Sequence, residues 1–462
     1  MRKLIFAAFV LLVVPALAFA QSGTPGDPGV GDSYYPEFGN GGYDVTHYTL
    51  DLSADVETNT IESVVTIEAT ATQDLSTFNL DLVGLEVESV TVNDQEADHK
   101  RDGQELTVTP ADVLLEGDSF TVVIAYSGEP EEMTSVALPV LTGWIWYGDG
   151  IMVISEPDGT ASFVPVNDHP LDKATWTLRV TVPKPYEVAM NGVVTEIIDN
   201  GDTTTTVSEV NQPMASYLLT INIGEFDLVE ETGTNGVPIR NYFDVTLPDE
   251  LREPFDLQDE MIGCYENLFG EYPFDVYGAV VINTETGTAL ENQTLSLFGA
   301  DMLDPAYGDY AELVIAHELL HQWFGDSMSV GDWSDIWLNE GWATYGEGLW
   351  IECNEGADAL EDWAIESYDY AEYAEMLPPG DVPADDLFNE SVYVRGGLTL
   401  HALRLTIGDD AFFTVGREWL ERYRDSTATT DDFIALVEEI SGEDLSDFFD
   451  AWLYEDQIPE LP

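Results

Sequence analysis

Residues 317–340 read HELLHQWFGDSMSVGDWSDIWLNE, and four of them could do chemistry together. His317 and His321 stand four residues apart in DYAELVIAHELLHQWFG, whose apolar positions recur at helical spacing, so both imidazoles project from one helix face. That geometry suits zinc. A zinc ion that does chemistry takes three protein ligands and keeps one position open, and Glu340, on what reads as the next helix, can be the third ligand. Glu318, beside the first histidine, is then placed to accept a proton from a water whose pKa zinc lowers to about 7. His-Glu-x-x-His also occurs by chance on ordinary helices. Here the chain has six histidines in 462 residues and spends two of them on this motif.

The elements that must position these groups are legible from periodicity. From YDVTHYTLDLSADV to INIGEFDLVE, short alternating runs rich in Val, Thr, Ile and Leu are broken by turn signals such as Asn200-Gly201-Asp202, which predicts an all-β domain. Beyond a Gly- and Pro-bearing boundary, helical spacing takes over: residues 250–270, 396–405, 411–424 and 430–441 read as helices, with YGAVVINTET as a strand. The expected organisation is a signal peptide at 1–20, a flexible leader at 21–42, a β domain at 43–235 and a mainly α catalytic domain at 236–462. The fold class is α+β and multidomain.

The stretches HELLHQWFGDS and DIWLNEGWATY resemble the two zinc-ligand helices of the aminopeptidase N family of zinc metallopeptidases, the gluzincins. GNGGYDVTHYTLDL and FVPVNDHPLDKATWTLRVTVP are similar to that family's opening β domain, so the resemblance runs from about residue 38 to the C-terminus. It implies a thermolysin-like catalytic domain, one Zn2+ per chain held by His317, His321 and Glu340, and peptide substrates with a free N-terminus. GTALENQT resembles the family's Gly-x-Met-Glu-Asn motif, with Leu290 in place of methionine, which gives Glu291 the substrate's amine. Glu156, in ISEPDGTAS, is similar to a second carboxylate on a loop of the β domain, although Ile154 stands where the family often has glutamine. SVYVRGGLTLHALR resembles the start of the helix that carries an oxyanion-stabilising phenol; this makes Tyr393 the candidate, with Arg395 replacing lysine. His169 is expected to be a structural hydrogen-bonder, and His401 to pack. Larger family members continue into a helical C-terminal domain over the cleft. This chain ends at WLYEDQIPELP, so that domain is not expected and the cleft should be more open.

Composition constrains the setting. MRKLIFAAFVLLVVPALAFA has the basic start, apolar run and Ala18-Phe19-Ala20 ending of an export signal, too short for a comfortable membrane span. Export to the periplasm or outside the cell, with cleavage before Gln21, is expected, and no membrane span after cleavage. A formal charge of −75, from 89 acidic against 14 basic residues, excludes nucleic acid as a natural partner and reads as adaptation to a salty habitat, with a generic acidic exported surface or calcium binding as the alternatives. Cys264 and Cys353 are free to pair in an oxidising compartment or to remain buried thiols. The expected function is a secreted zinc-dependent aminopeptidase. A zinc endopeptidase and a catalytically silent exported binding module are the alternatives.

Overall fold

The computed structural model describes residues 22–462 apart from 139 and 309. The expected signal peptide therefore lies outside the described residues. In the N-terminal half, strands such as Thr60–Ala71 alternate buried and solvent-facing side chains along their length, as a sheet with one covered face requires. An eight-stranded sheet forms around Tyr43–Asp55, which pairs antiparallel with Thr60–Ala71 and parallel with Ala174–Pro183. A smaller five-stranded sheet contains Leu141–Trp146 and Ile151–Ile154, and the second of these strands leads directly into the loop that carries Glu156.

The catalytic half opens with a four-stranded sheet in the order Phe226–Thr232, Pro238–Asp244, Tyr277–Ile282, Ser296–Gly299. The domain boundary expected at 235/236 therefore moves. Phe226–Thr232 and Pro238–Asp244 form one antiparallel hairpin, and the second of them pairs with Tyr277–Ile282, so the Gly- and Pro-bearing stretch is a hairpin turn inside the catalytic domain. All eight α-helices among the described residues lie in this half: α1 Gln258–Phe269, α2 Tyr310–His321, α3 Trp337–Glu355, α4 Ala357–Ala374, α5 Glu390–Ile407, α6 Asp409–Tyr423, α7 Thr430–Ser441 and α8 Ser446–Leu453. None of them is long and apolar enough to cross a membrane.

α3 is the pillar of the site, packed between α2 and α5. Glycines bring the three helices close. A Cβ on Gly341 would sit 2.9 Å from the backbone of Gly396 in α5, and one on Gly346 would sit 2.5 Å from the Leu320 side chain in α2. Cys264 of α1 and Cys353 of α3 form a disulfide, which settles the question the sequence left open.

The segment expected as a flexible leader is instead held against the body of the molecule. Asp32 is buried, and Ser33, Tyr34 and Tyr35 hydrogen-bond to residues of the catalytic half. From the β domain, Lys173 reaches the loop after α2, where its Nζ donates to Asp326 O at 2.6 Å, Ser327 O at 3.2 Å and Ser329 Oγ at 3.1 Å.

Candidate active site

α2 ends at His321, and its last turns carry His317 and His321 on one face, their ring centroids 4.8 Å apart. The first turn of α3 brings Glu340 across from them. Glu340 Oε2 lies 3.3 Å from His317 Nε2 and 3.4 Å from His321 Nε2, and one donor atom from each of the three residues falls within 4.8 Å of the others. All three side chains are buried.

The opposite ring nitrogens are occupied. His317 Nδ1 donates to Glu347 Oε1 at 2.9 Å, and His321 Nδ1 to the carbonyl of Phe324 at 3.2 Å. Such bonds place the proton on Nδ1 and turn the Nε2 lone pair inward. Two lone pairs and a carboxylate converging in a buried space need positive charge between them. Without a metal the histidines would have to supply that charge as imidazoliums: burial works to raise Glu340, yet the charge of His321 and bonds from both histidines would hold it down at about 2, while Glu340 in turn raises both imidazoles against their burial. One zinc ion held by His317, His321 and Glu340 would meet that demand.

A cavity of about 220 Å³ adjoins these ligands. Its wall includes Glu318, Glu156, Glu291 and Tyr393, so all seven residues singled out from the sequence meet at one place. Burial pushes the Glu318 carboxyl up to about 8. The Tyr393 ring lies 6.0 Å from that of His317, and burial together with the surrounding carboxylates raises its phenol well above the ordinary value, so it stays protonated and able to donate. Glu156 and Glu291 are buried, and each has an oxygen, Oε1, with no hydrogen-bond partner among the described residues. Burial raises both carboxyls, and at Glu156 the charge of Glu291 adds to it. Leu138, Ile154, Met302, Val314 and Phe388 give the cavity an apolar side.

His169 and His401 stand apart from this cluster. His169 bonds Asp32 and the backbone of Leu171, and His401 packs in the helical core, its Nδ1 3.4 Å from Tyr345 Oη. The residue missed from the sequence is Glu347. Its only signal was its place seven residues after Glu340, on the same face of α3.

Comparison with known proteins agrees with this geometry. The Peptidase family M1 domain matches residues 253–452, and the Peptidase M1 N-terminal domain matches residues 44–218. A leucyl aminopeptidase of Saccharolobus solfataricus is 26% identical over 444 residues, covering 90% of this chain and 54% of that protein. An aminopeptidase N of Streptomyces lividans is 26% identical over 430 residues, covering 87% of this chain and 49% of its own length. The chain thus spans about half the length of these curated relatives. The crystal structure of an M1 zinc metallopeptidase from Deinococcus radiodurans superposes with a TM-score of 0.87 at 32% identity, covering 94% of this chain and 98% of that one. A mutant of that metallopeptidase has been solved with a Tyr-Ser-Ala substrate. Sequence and fold coincide along nearly the whole of that structure, and the chain belongs to the M1 family of zinc metallopeptidases, the aminopeptidase N family.

Proposed function

We propose that this protein is an exported aminopeptidase that removes N-terminal residues from peptides. The observation that carries the reading is the pair of carboxylates, Glu156 and Glu291, each with an unpartnered buried oxygen, on the wall that also holds the metal ligands. An endopeptidase has no use for two such costly groups. A protonated α-amine would satisfy both by charge-assisted hydrogen bonds and relieve their repulsion.

The remaining roles follow from position. Zinc, when bound, supplies Lewis acidity that polarises the scissile carbonyl and makes water a nucleophile near neutral pH. Glu318 accepts the proton of the attacking water and passes it to the leaving nitrogen. The Tyr393 phenol donates to the carbonyl oxygen as negative charge develops there, a contribution of the kind worth ~100-fold or more. Glu347 holds the His317 ring in its liganding orientation. Export is supported by the basic-apolar-small pattern of residues 1–20 and by the Cys264–Cys353 disulfide, which suits an oxidising compartment.

The test is Glu291→Gln on an aminoacyl reporter. Removing one charge from a buried ammonium site should lower kcat/KM by about 100-fold while zinc content stays at one per chain. Unchanged kcat/KM would remove Glu291 from amine recognition.

A further inference from the structure

Residues Asp32–Tyr35 tie together three parts of the molecule that are far apart in the chain. The Asp32 side chain is wholly buried. Its Oδ1 accepts the backbone N–H groups of Tyr34 at 2.9 Å and Tyr35 at 2.7 Å, which fixes the turn of the strap itself. Its Oδ2 accepts the backbone N–H of Trp333 at 2.7 Å and lies 3.2 Å from His169 Nε2. Because Leu171 N–H donates to His169 Nδ1 at 3.1 Å, the His169 proton sits on Nε2 and faces Asp32. A carboxylate buried this deeply is tolerated because donors surround it, and those donors depend on it in turn.

Two hydrogen-bond relays run from this strap to the site. In the first, Trp333 gives its N–H to Asp32, its carbonyl accepts Ile336 N–H at 3.2 Å, and the Ile336 carbonyl accepts Glu340 N–H at 3.1 Å. Ser33 reinforces this arm, its N–H and hydroxyl donating to Asp332 at 2.8 and 2.6 Å. In the second, Tyr34 Oη donates to Val382 O at 2.6 Å and Tyr35 Oη to Ala384 O. The turn that follows bonds Asn389 N–H to Asp386 O at 3.0 Å; Asn389 then caps α5 through Ser391 N–H at 3.1 Å, two residues before Tyr393. One arm ends on a metal ligand and the other on the start of the helix bearing the phenol.

We propose that Asp32, Tyr34 and Tyr35 are positioning residues, which set Glu340 and Tyr393 relative to each other and to the β domain. The inference rests on the roles given to Glu340 and Tyr393 under the proposed function. A misplacement of about 1 Å at such groups can cost on the order of 100-fold in rate, so the arms need to shift the groups only slightly to matter.

The test uses the full mature chain with cobalt in place of zinc, whose visible absorption reports ligand geometry without any turnover. Asp32→Asn keeps the size of the side chain but sets an NH2 group or a weaker acceptor against Trp333 N–H and His169. It should change the cobalt spectrum and lower kcat about tenfold or more, with KM within about twofold. Tyr34→Phe with Tyr35→Phe keeps the rings, including the Tyr35 stack on Phe38 at 4.6 Å, and removes only the second arm. It should lower kcat similarly with the cobalt spectrum unchanged. Wild-type kcat and spectrum in both variants would overturn the proposal, as would losses in kcat that vanish on correction for folded fraction. If Asp32→Asn does not fold, the tyrosine pair decides. Silence of the wild-type enzyme on aminoacyl reporters would instead count against the aminopeptidase reading, and the cobalt spectrum of Asp32→Asn would still test the strap.

Discussion

At the scale of single residues, the site separates groups that hold metal from groups that move protons. Glu318 shares the cavity with the ligands but is not one of the three converging donors. Glu318→Gln should therefore retain one zinc per chain and lose nearly all activity, read by metal analysis beside a reporter assay; retained turnover would remove Glu318 as the base. Glu347→Gln should do the reverse. It keeps a neutral acceptor near His317 Nδ1, so catalysis should survive at saturating zinc while zinc affinity falls about 10- to 100-fold in a competitive chelator titration. His317, Glu318, His321 and Glu340 were legible because rare residue types recur at a spacing that a helix turns into a site. Glu347 was not, because one acid among 89 carries little information until its partner is known.

At the scale of elements, the close approach of α3 and α5 puts Glu340 and Tyr393 within one cavity. Gly341→Ala would force a Cβ to within 2.9 Å of the Gly396 backbone, which cannot swing aside as a side chain could. The change should cost about 1–3 kcal/mol in chemical denaturation and lower kcat as α5 moves away; full stability and activity would show that the contact is slack. Helices with strong apolar periodicity emerge where the sequence places them: residues 430–441 coincide with α7, and the stretch 411–424 falls on α6. Two placements were hidden for physical reasons. Phe226–Thr232 reads as a strand, but local pattern does not say which sheet it joins, and its partner Pro238–Asp244 lies beyond the Gly- and Pro-bearing turn. The Asp32–Tyr35 strap carries Gly and Pro around it and takes its order from partners about 300 residues away, which local pattern cannot register.

At the scale of the whole molecule, charge dominates. With −75 formal charges, self-repulsion is strong in dilute buffer, and molar salt, with a screening length of about 3 Å, should relieve it. Buried carboxyls add a dependence on pH. Asp168 and Asp172 lie in the β domain, where burial pushes each up to about 7, against about 3.9 in an unfolded chain. Between those values the folded state holds protons that the unfolded chain has released. Their contribution is thus fully present below about pH 4 and lost as pH rises through about 7. Thermal unfolding at constant high salt should show Tm falling from about pH 5 to about pH 8, and Asp172→Asn should flatten that slope; a Tm that rises over this range would contradict the assignment. The whole account turns on recognition of a free amine, and the most direct measurement is kcat/KM of the zinc-loaded protein in molar KCl for one aminoacyl anilide and its N-acetylated twin. A site built to bond that amine should favour the free substrate by about a thousandfold or more, with both rates abolished by a chelator. Comparable chelator-sensitive rates on the two would contradict the account and make the protein an endopeptidase.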